Sequence, residues 1–243
     1  VIIFCIGTFL MRSAGCVIND FFDRDFDGKV ERTKNRPLVT GQVKGFEAIT
    51  LFFILVSLSA SLLFWTNKLT LIVACIGLII AVIYPLTKRF FELPQIFLGL
   101  AFSWGILMVS AAELDKISST SLIMFSACFF WVMAYDTAYA MSDREGDLSI
   151  GLKSSAITFG KYSQKLIITF HLISLCLWSF SGFVEKINPI FYASIIVCLV
   201  LVFFQFLLIR DENPEKCFTA FKRNNWIGVS ILLGTIFSSI LEI

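Results

Sequence analysis

Residues 1–27 read VIIFCIGTFLMRSAGCVINDFFDRDFD, an apolar run that ends in a cluster of aspartates. The same arrangement recurs in residues 119–147, which read STSLIMFSACFFWVMAYDTAYAMSDREGD. A helix needs about twenty mostly apolar residues to cross the hydrocarbon of a bilayer, so each acidic cluster is predicted at the mouth of a membrane span. Carboxylates this dense repel one another and recruit cations. Two facing clusters predict a site for a phosphorylated substrate, because Mg²⁺ usually joins one or two carboxylates to substrate phosphates.

The composition is that of an integral membrane protein. Hydrophobic residues make up 57% of the 243 and charged residues 16%, and the mean hydropathy is +0.83. Soluble domains are roughly 45–50% apolar and about 25% charged. A net charge of +2, without a dense lysine and arginine run, argues against a nucleic-acid partner. The expected surroundings are therefore a lipid bilayer.

The apolar runs predict an all-α, polytopic membrane helical bundle with eight spans. The predicted spans are Val1–Phe22, Phe46–Thr66, Leu69–Leu86, Leu93–Ala112, Ser119–Met141, Leu166–Phe183, Pro189–Ile209 and Phe218–Leu241. Residues 1–243 are predicted to form a single transmembrane domain. Because the chain begins at Val1 inside an apolar run and without a methionine, we expect it to be truncated at its N-terminus.

The distribution of positive charge predicts the orientation. The loops after the first, third, fifth and seventh spans, with their flanks, hold 16 of the lysines and arginines, whereas the opposite loops hold 3. The 16 are Arg24, Lys29, Arg32, Lys34, Arg36, Lys44, Lys88, Arg89, Arg144, Lys153, Lys161, Lys165, Arg210, Lys216, Lys222 and Arg223. Since cytoplasmic loops carry the excess of positive charge, both acidic clusters are predicted on the cytoplasmic face.

Helical spacing arranges the first cluster as one polar stripe. Residues four apart lie one above another on a helix face, so Asn19, Asp23 and Asp27 share a face if the helix continues that far. Arg12 and Cys16 extend this stripe into the span. An arginine inside a span is a candidate functional residue, because charge in the bilayer is costly.

The second cluster shows the same spacing. Asp136, Asp143 and Asp147 are predicted on one face, with Tyr139 between them. Asp136 lies deepest of the three in the predicted span. A solvated acidic surface is the ordinary alternative for either cluster alone, but the occurrence of two at equivalent helix ends favours a site.

A third polar stripe lies at the end of the third predicted span. Tyr84 and Lys88 are four residues apart, and Arg89 follows directly. Two cations at a helix end favour an anionic group as their ligand. They are equally consistent with membrane anchors that follow the positive-inside rule.

The three stripes together resemble a known family. Asn19-Asp20-x-x-Asp23-x-x-x-Asp27, Tyr84-x-x-x-Lys88 and Asp143-x-x-x-Asp147 match the signatures of the UbiA-type intramembrane aromatic prenyltransferases. Residues 10–20, 32–38 and 135–141 resemble in particular the 4-hydroxybenzoate polyprenyltransferase branch of that family. The resemblance implies nine transmembrane helices around a central cavity, of which this chain would lack the first and part of the second.

The resemblance also implies an activity and its ligands. It implies Mg²⁺-dependent transfer of a polyprenyl group from polyprenyl diphosphate to the ring of 4-hydroxybenzoate, in ubiquinone biosynthesis at the bacterial inner membrane. The implied metal ligands are Asn19, Asp20, Asp23, Asp27, Asp143 and Asp147. The implied substrate-binding residues are Arg12, Asn19, Arg36, Tyr84, Lys88, Arg89, Asp136 and Tyr139.

Three residues carry implied catalytic roles. Asp23 belongs to the metal site, Asp143 lies near the phenol, and Arg89 holds the carboxylate of the aromatic acid. Lys88 and Arg36 add cationic contacts to the diphosphate. The small side chain of Ala140, one turn beyond Asp136, is expected to border the cavity.

Two alternatives stay open at this point. The first is a UbiA-type prenyltransferase that acts on a different aromatic acceptor. The second is a non-enzyme, a cation transporter that uses intramembrane acids as its pathway. Mg²⁺-dependent incorporation of a labelled aromatic acid into lipid would distinguish an enzyme from a transporter.

Overall fold

The computed structural model describes residues 1–28 and 33–241, and among them all regular structure is helical. The helices are α1 Ile2–Asp27, α2 Gly45–Ser61, α3 Lys68–Thr87, α4 Gln95–Leu114, α5 Ser119–Ile150, α6 Ser155–Phe159, α7 Ser163–Val184, α8 Phe191–Ile209, α9 Pro214–Arg223 and α10 Asn225–Ile240. Short 3₁₀ turns cover Leu62–Trp65 and Gly160–Tyr162. Lys29 and Arg32, counted above among the loop cations, lie outside the described residues.

Seven helical segments in the described ranges are long and apolar enough to cross a membrane. They contain α1, α2, α3, α4, α5, α7 and α8 and correspond to the first seven predicted spans. The predicted span over Phe218–Leu241 differs, because the structure divides it into two helices that meet at Asn224. α9 begins earlier, at Pro214, and α10 has 16 residues.

A buried polar network holds the break between α9 and α10. The Asn224 side chain donates to Gln205 Oε1 of α8 at 3.2 Å and accepts from Trp131 Nε1 of α5 at 3.2 Å. Because buried polar groups are costly unless they are hydrogen-bonded, this network ties four elements together at one point and explains why the helix does not continue.

The length of α5 carries the second acidic cluster out of the membrane. α5 has 32 residues, which is about 48 Å at 1.5 Å per residue, whereas the hydrocarbon core is about 30 Å thick. The sequence predicted this span only to Met141, but the helix continues to Ile150 and ends at Gly151, whose φ of 72° is left-handed. Asp143 and Asp147 therefore lie on a regular helix, and α1 likewise keeps the first cluster helical to Asp27.

Packing places α5 between two halves of the bundle. α1 packs against α2 and α3, α3 packs against α4, and α4 packs against α5. On its other side α5 packs against α7 and α9, and α8 packs against α7, α9 and α10. The two acidic clusters thus belong to helices of neighbouring groups, joined through α3 and α4.

Small residues let α5 pack closely against α7 and α9. Ala134, Ala138 and Ala140 are buried in a cluster with Ile167 of α7 and Cys217 of α9. The prediction that Ala140 borders a substrate cavity is therefore wrong, since its side chain is 4% exposed and belongs to this core.

The close contact of α10 with α8 at Gly234 gives a stability prediction. A Cβ added at Gly234 would lie 2.6 Å from Ser194 Cβ and 3.4 Å from the Phe191 carbonyl oxygen. Ser194 is held by its bond to that carbonyl, so Gly234→Ala is expected to cost about 1–3 kcal/mol through overpacking. Thermal unfolding of purified protein in detergent measures this. The control is Gly105→Ala, where a Cβ meets no heavy atom within 4 Å; equal melting temperatures for both variants would contradict the packing.

Candidate active site

The ends of α1 and α3 meet at the end of the bundle that carries the acidic residues, called here the acidic end. Lys88 Nζ lies 3.0 Å from Asp23 Oδ2, and Arg89 donates to the Phe22 carbonyl at 2.7 Å. Asn19 donates to the same Asp23 oxygen at 3.1 Å. The structure therefore brings the first and third predicted stripes into direct contact.

Arg36 links the outer carboxylates of the first cluster. Its guanidinium lies 2.8 Å from Asp20 Oδ1 and 2.7 Å from Asp27 Oδ2. Asp20 and Asp27 are seven residues apart, which is about two helical turns, so both face the segment that follows α1. Within the described residues each carboxylate of the predicted stripe thus has a cation beside it.

A deeper polar layer lies between α1, α3, α4 and α5. Arg12 donates to Cys16 Sγ at 3.1 Å and stacks over the Phe102 ring of α4. Lys88 lies over the Tyr84 ring at 5.7 Å. The buried Asp136 carboxylate of α5 lies in the field of Lys88, Asp143 and Arg12. Residues predicted on three separate helices therefore surround one region.

Charge in this layer is stabilised by its neighbours. Burial alone would lower the pKa of Lys88, but the oxygens of Tyr84, Asp23 and Asp136 outweigh this effect and raise that pKa above the ordinary lysine value. The ammonium group consequently remains protonated at neutral pH. A fixed positive charge at this position suits an anionic ligand.

The second cluster is only partly directed at this layer. Asp143 is close enough to Asp136 for their charges to interact, whereas Tyr139 packs on α9 with its ring centroid 4.8 Å from Phe221. Asp147 lies one turn beyond Asp143. Of the predicted substrate-binding residues, Tyr139 is thus the one that contacts the aromatic face of α9.

The donor set fits Mg²⁺. In the ranges that the structure describes, no group of three or more His, Cys, Asp or Glu side chains is arranged to hold a metal ion by itself. Mg²⁺ does not require such a group, because it keeps several waters and is usually bound by one or two carboxylates together with substrate phosphates. The carboxylates of Asp23 and Asp27, and of Asp143 and Asp147, are hard oxygen donors of the required kind.

Sequence reasoning missed Gln95, which is buried at the start of α4. Its Oε1 accepts from Ser155 N–H at 2.9 Å, and its side chain is a neighbour of the Asp136 carboxylate. A single glutamine after a proline has no periodic pattern, so only the fold shows that it faces α5. Gln95 links α4, α6 and the polar layer.

The segment after α5 is fastened to the segment after α3. Lys153 N–H donates to the Lys88 carbonyl at 3.0 Å, and Thr158 Oγ1 donates to the Glu92 carbonyl at 2.7 Å. These bonds connect the backbone that bears Lys88 and Arg89 to the end of the helix that bears Asp143 and Asp147.

Comparison with known proteins shows the family of this chain. A model of the UbiA prenyltransferase family matches residues 1–227. The 4-hydroxybenzoate octaprenyltransferase of Psychromonas ingrahamii is 47% identical over 233 residues, covering 96% of this chain and 81% of the relative. The protein of that name from Aeromonas hydrophila is 43% identical over 235 residues, covering 97% and 82%.

Solved structures have the same fold. A UbiA homologue from Aeropyrum pernix K1 matches with a TM-score of 0.86 and 25% identity, over 98% of this chain and 89% of that one. A UbiA homologue from Archaeoglobus fulgidus, solved with GPP and Mg²⁺, matches with a TM-score of 0.73 and 20% identity, over 98% and 87%. The second likeness shows the fold alone.

The contacts of Gln95 generate a prediction. Gln95→Glu keeps the acceptor for Ser155 N–H but places a second carboxylate against Asp136, so activity is expected to fall at least about tenfold through like-charge repulsion. Thr158→Val removes a bond of the same segment without touching Asp136 and is expected to retain activity. Turnover of the two purified variants, compared with wild type, measures the effect. Equal turnover in all three would remove Gln95 from the site.

Proposed function

This chain belongs to the UbiA prenyltransferase family, and on that premise we propose that it is a 4-hydroxybenzoate polyprenyltransferase of ubiquinone biosynthesis. It transfers a polyprenyl group, octaprenyl in the named relatives, from the diphosphate to the aromatic ring. This proposal rests on one observation: Asp23, Lys88 and the surroundings of Asp136 lie together at one end of a membrane bundle.

The acidic residues are proposed to receive the diphosphate with its metal. Asn19, Asp20, Asp23 and Asp27 of α1 and Asp143 and Asp147 of α5 are the ligands assigned to Mg²⁺. Bound Mg²⁺ would neutralise the diphosphate and stabilise the negative charge that develops on it as the C1–O bond breaks. The carboxylates alone would repel this substrate, so the proposal requires the metal.

The basic residues are proposed to hold the diphosphate from the other side. Lys88 and Arg36 already contact Asp23, Asp20 and Asp27, so phosphate oxygens bound there would lie beside both signs of charge. Arg12 and Tyr84 line the deeper layer, where the prenyl chain leaves the charged region. Apolar helices around this layer exclude water from the allylic cation.

The acceptor is proposed to bind on the Arg89 side. Arg89 is exposed and bonds the Phe22 carbonyl through one nitrogen. A planar guanidinium suits bidentate pairing with a carboxylate such as that of 4-hydroxybenzoate. Asp143 is proposed to lie near the phenol oxygen. Its negative charge there would increase the electron density of the ring carbon ortho to that oxygen.

The chain is a multi-pass membrane protein. Its proposed location is the bacterial inner membrane, with the acidic end towards the cytoplasm. The support for this orientation is the excess of lysine and arginine in the loops at that end. The alternative of a cation transporter loses its basis, because the family to which the chain belongs consists of prenyltransferases.

Removal of the carboxylates tests the metal assignment. Asp23→Asn and Asp147→Asn are each expected to lower Mg²⁺-dependent incorporation of labelled 4-hydroxybenzoate into lipid by at least about 100-fold, because each removes a charged ligand. The control is Asp25→Asn, since the Asp25 side chain is 78% exposed and pairs only with Arg24 among the described contacts. Near-normal turnover of both site variants would refute the assignment.

Removal of the Arg89 charge tests the acceptor site. Arg89→Ala is expected to raise the KM for 4-hydroxybenzoate about tenfold or more, with a change of less than about threefold in the KM for the polyprenyl diphosphate. Steady-state kinetics with each substrate varied in turn provides both values. If the diphosphate KM rises instead, Arg89 binds the other substrate.

A further inference from the structure

Arg144 lies inside the second acidic cluster, yet its side chain is directed at other helices. Its guanidinium contacts Glu212 Oε2 at 2.7 Å, in the connection between α8 and α9. It also donates to the Gly160 carbonyl and to Ser163 Oγ, each at 3.2 Å, at the start of α7. One side chain of α5 therefore joins three segments.

Glu212 is itself held in place. Gln164 of α7 donates to Glu212 Oε1 at 3.1 Å and to the Arg210 carbonyl at 3.0 Å. The backbone of Glu212 has a φ of 53°, which is unusual for a residue with a side chain. The connection from α8 to α9 is thus shaped so that this carboxylate reaches both Arg144 and Gln164.

The pair is partly shielded from solvent, with side-chain exposures of 24% for Arg144 and 38% for Glu212. A planar guanidinium with several fixed acceptors defines an orientation as well as a distance. By contrast, Lys216 and Asp211 form a pair close by in the chain whose side chains are 50% and 48% exposed. Such an exposed pair contributes little, which makes it a matched control.

The position of Arg144 couples these contacts to the acidic face. Successive helical residues are rotated by about 100°, so Arg144 is directed away from the face shared by Asp143 and Asp147. This part of α5 extends beyond the length that the membrane supports, and a tie to α7 and the α8–α9 connection fixes its rotation. We propose that Arg144 and Glu212 form a positioning pair that orients the Asp143 and Asp147 carboxylates for metal–diphosphate binding; this inference rests on the proposed function.

The proposal assigns Arg144 no contact with substrate or metal. Its effect is exerted through the rotation of α5 about its own axis. A rotation of a few tens of degrees would move Asp143 and Asp147, which lie on successive turns, away from their common ligand. A purely structural tie would lower the stability of the protein without changing the metal affinity of the folded fraction. The two roles are therefore separable by measurement.

The experiment measures Mn²⁺ binding by electron paramagnetic resonance, with inorganic diphosphate present, on detergent-purified full chain. Arg144→Gln and the milder Glu212→Gln are each expected to weaken Mn²⁺ binding about five- to tenfold and to lower kcat. Arg144→Lys, which keeps the positive charge beside Glu212 but not the planar fork, is expected to stay within about threefold of wild type in both values. Lys216→Met and Asp211→Asn are expected to leave them unchanged.

Thermal unfolding and prenyl transfer are followed in parallel. Lower melting temperatures with unchanged Mn²⁺ affinity in Arg144→Gln and Glu212→Gln would overturn the positioning role. An unchanged Mn²⁺ affinity in Asp147→Asn would overturn it as well, because the second cluster would then hold no metal. Failure of the proposed function is distinguishable, since it would appear as wild-type protein that transfers no prenyl group.

Discussion

The need to compensate carboxylates at a membrane boundary governs the arrangement of this protein. Charge near hydrocarbon is tolerated only when it is paired or hydrated. Asp23 is matched by Lys88, and Asp20 and Asp27 are matched together by Arg36. These pairs bring the end of α3 and the segment after α1 onto the first acidic cluster. The binding region is therefore formed by the same ion pairs that make its carboxylates tolerable.

α5 connects the first acidic cluster to the other half of the bundle. It packs against α4 on one side and against α7 and α9 on the other, and it carries Asp136 within the membrane and Asp143 and Asp147 beyond it. Alanines on its inner surface allow close contact with α7 and α9, while Gln95 and Ser155 fix the surroundings of Asp136. α5 can serve both purposes because Ala134 and Ala138 lie on a different face of the helix from Asp136, Asp143 and Asp147.

Sequence periodicity predicted the parts of the site that lie within one helix. Asn19, Asp23 and Asp27, and likewise Tyr84 and Lys88, are four residues apart, and a helix necessarily places them together. Periodicity could not predict contacts between helices, such as those of Gln95 with Ser155 or Arg144 with Glu212, because these depend on how helices pack. It also merged α9 and α10 into one span, since hydropathy over a window does not register that Asn224 bonds Gln205 and Trp131. The roles of individual site residues stay predictions.

The ion pairs also explain how a highly charged substrate can bind without a large change in net charge. A diphosphate with its metal brings anionic and cationic groups together. Asp23 and Lys88, now paired with each other, would each gain a partner of opposite sign, the metal for the carboxylate and a phosphate oxygen for the ammonium. The same holds for Arg36 with Asp20 and Asp27. Each of these charges would then have a partner of opposite sign both before and after binding. Binding at the acidic end would therefore exchange the partners of existing charges without leaving any of them uncompensated.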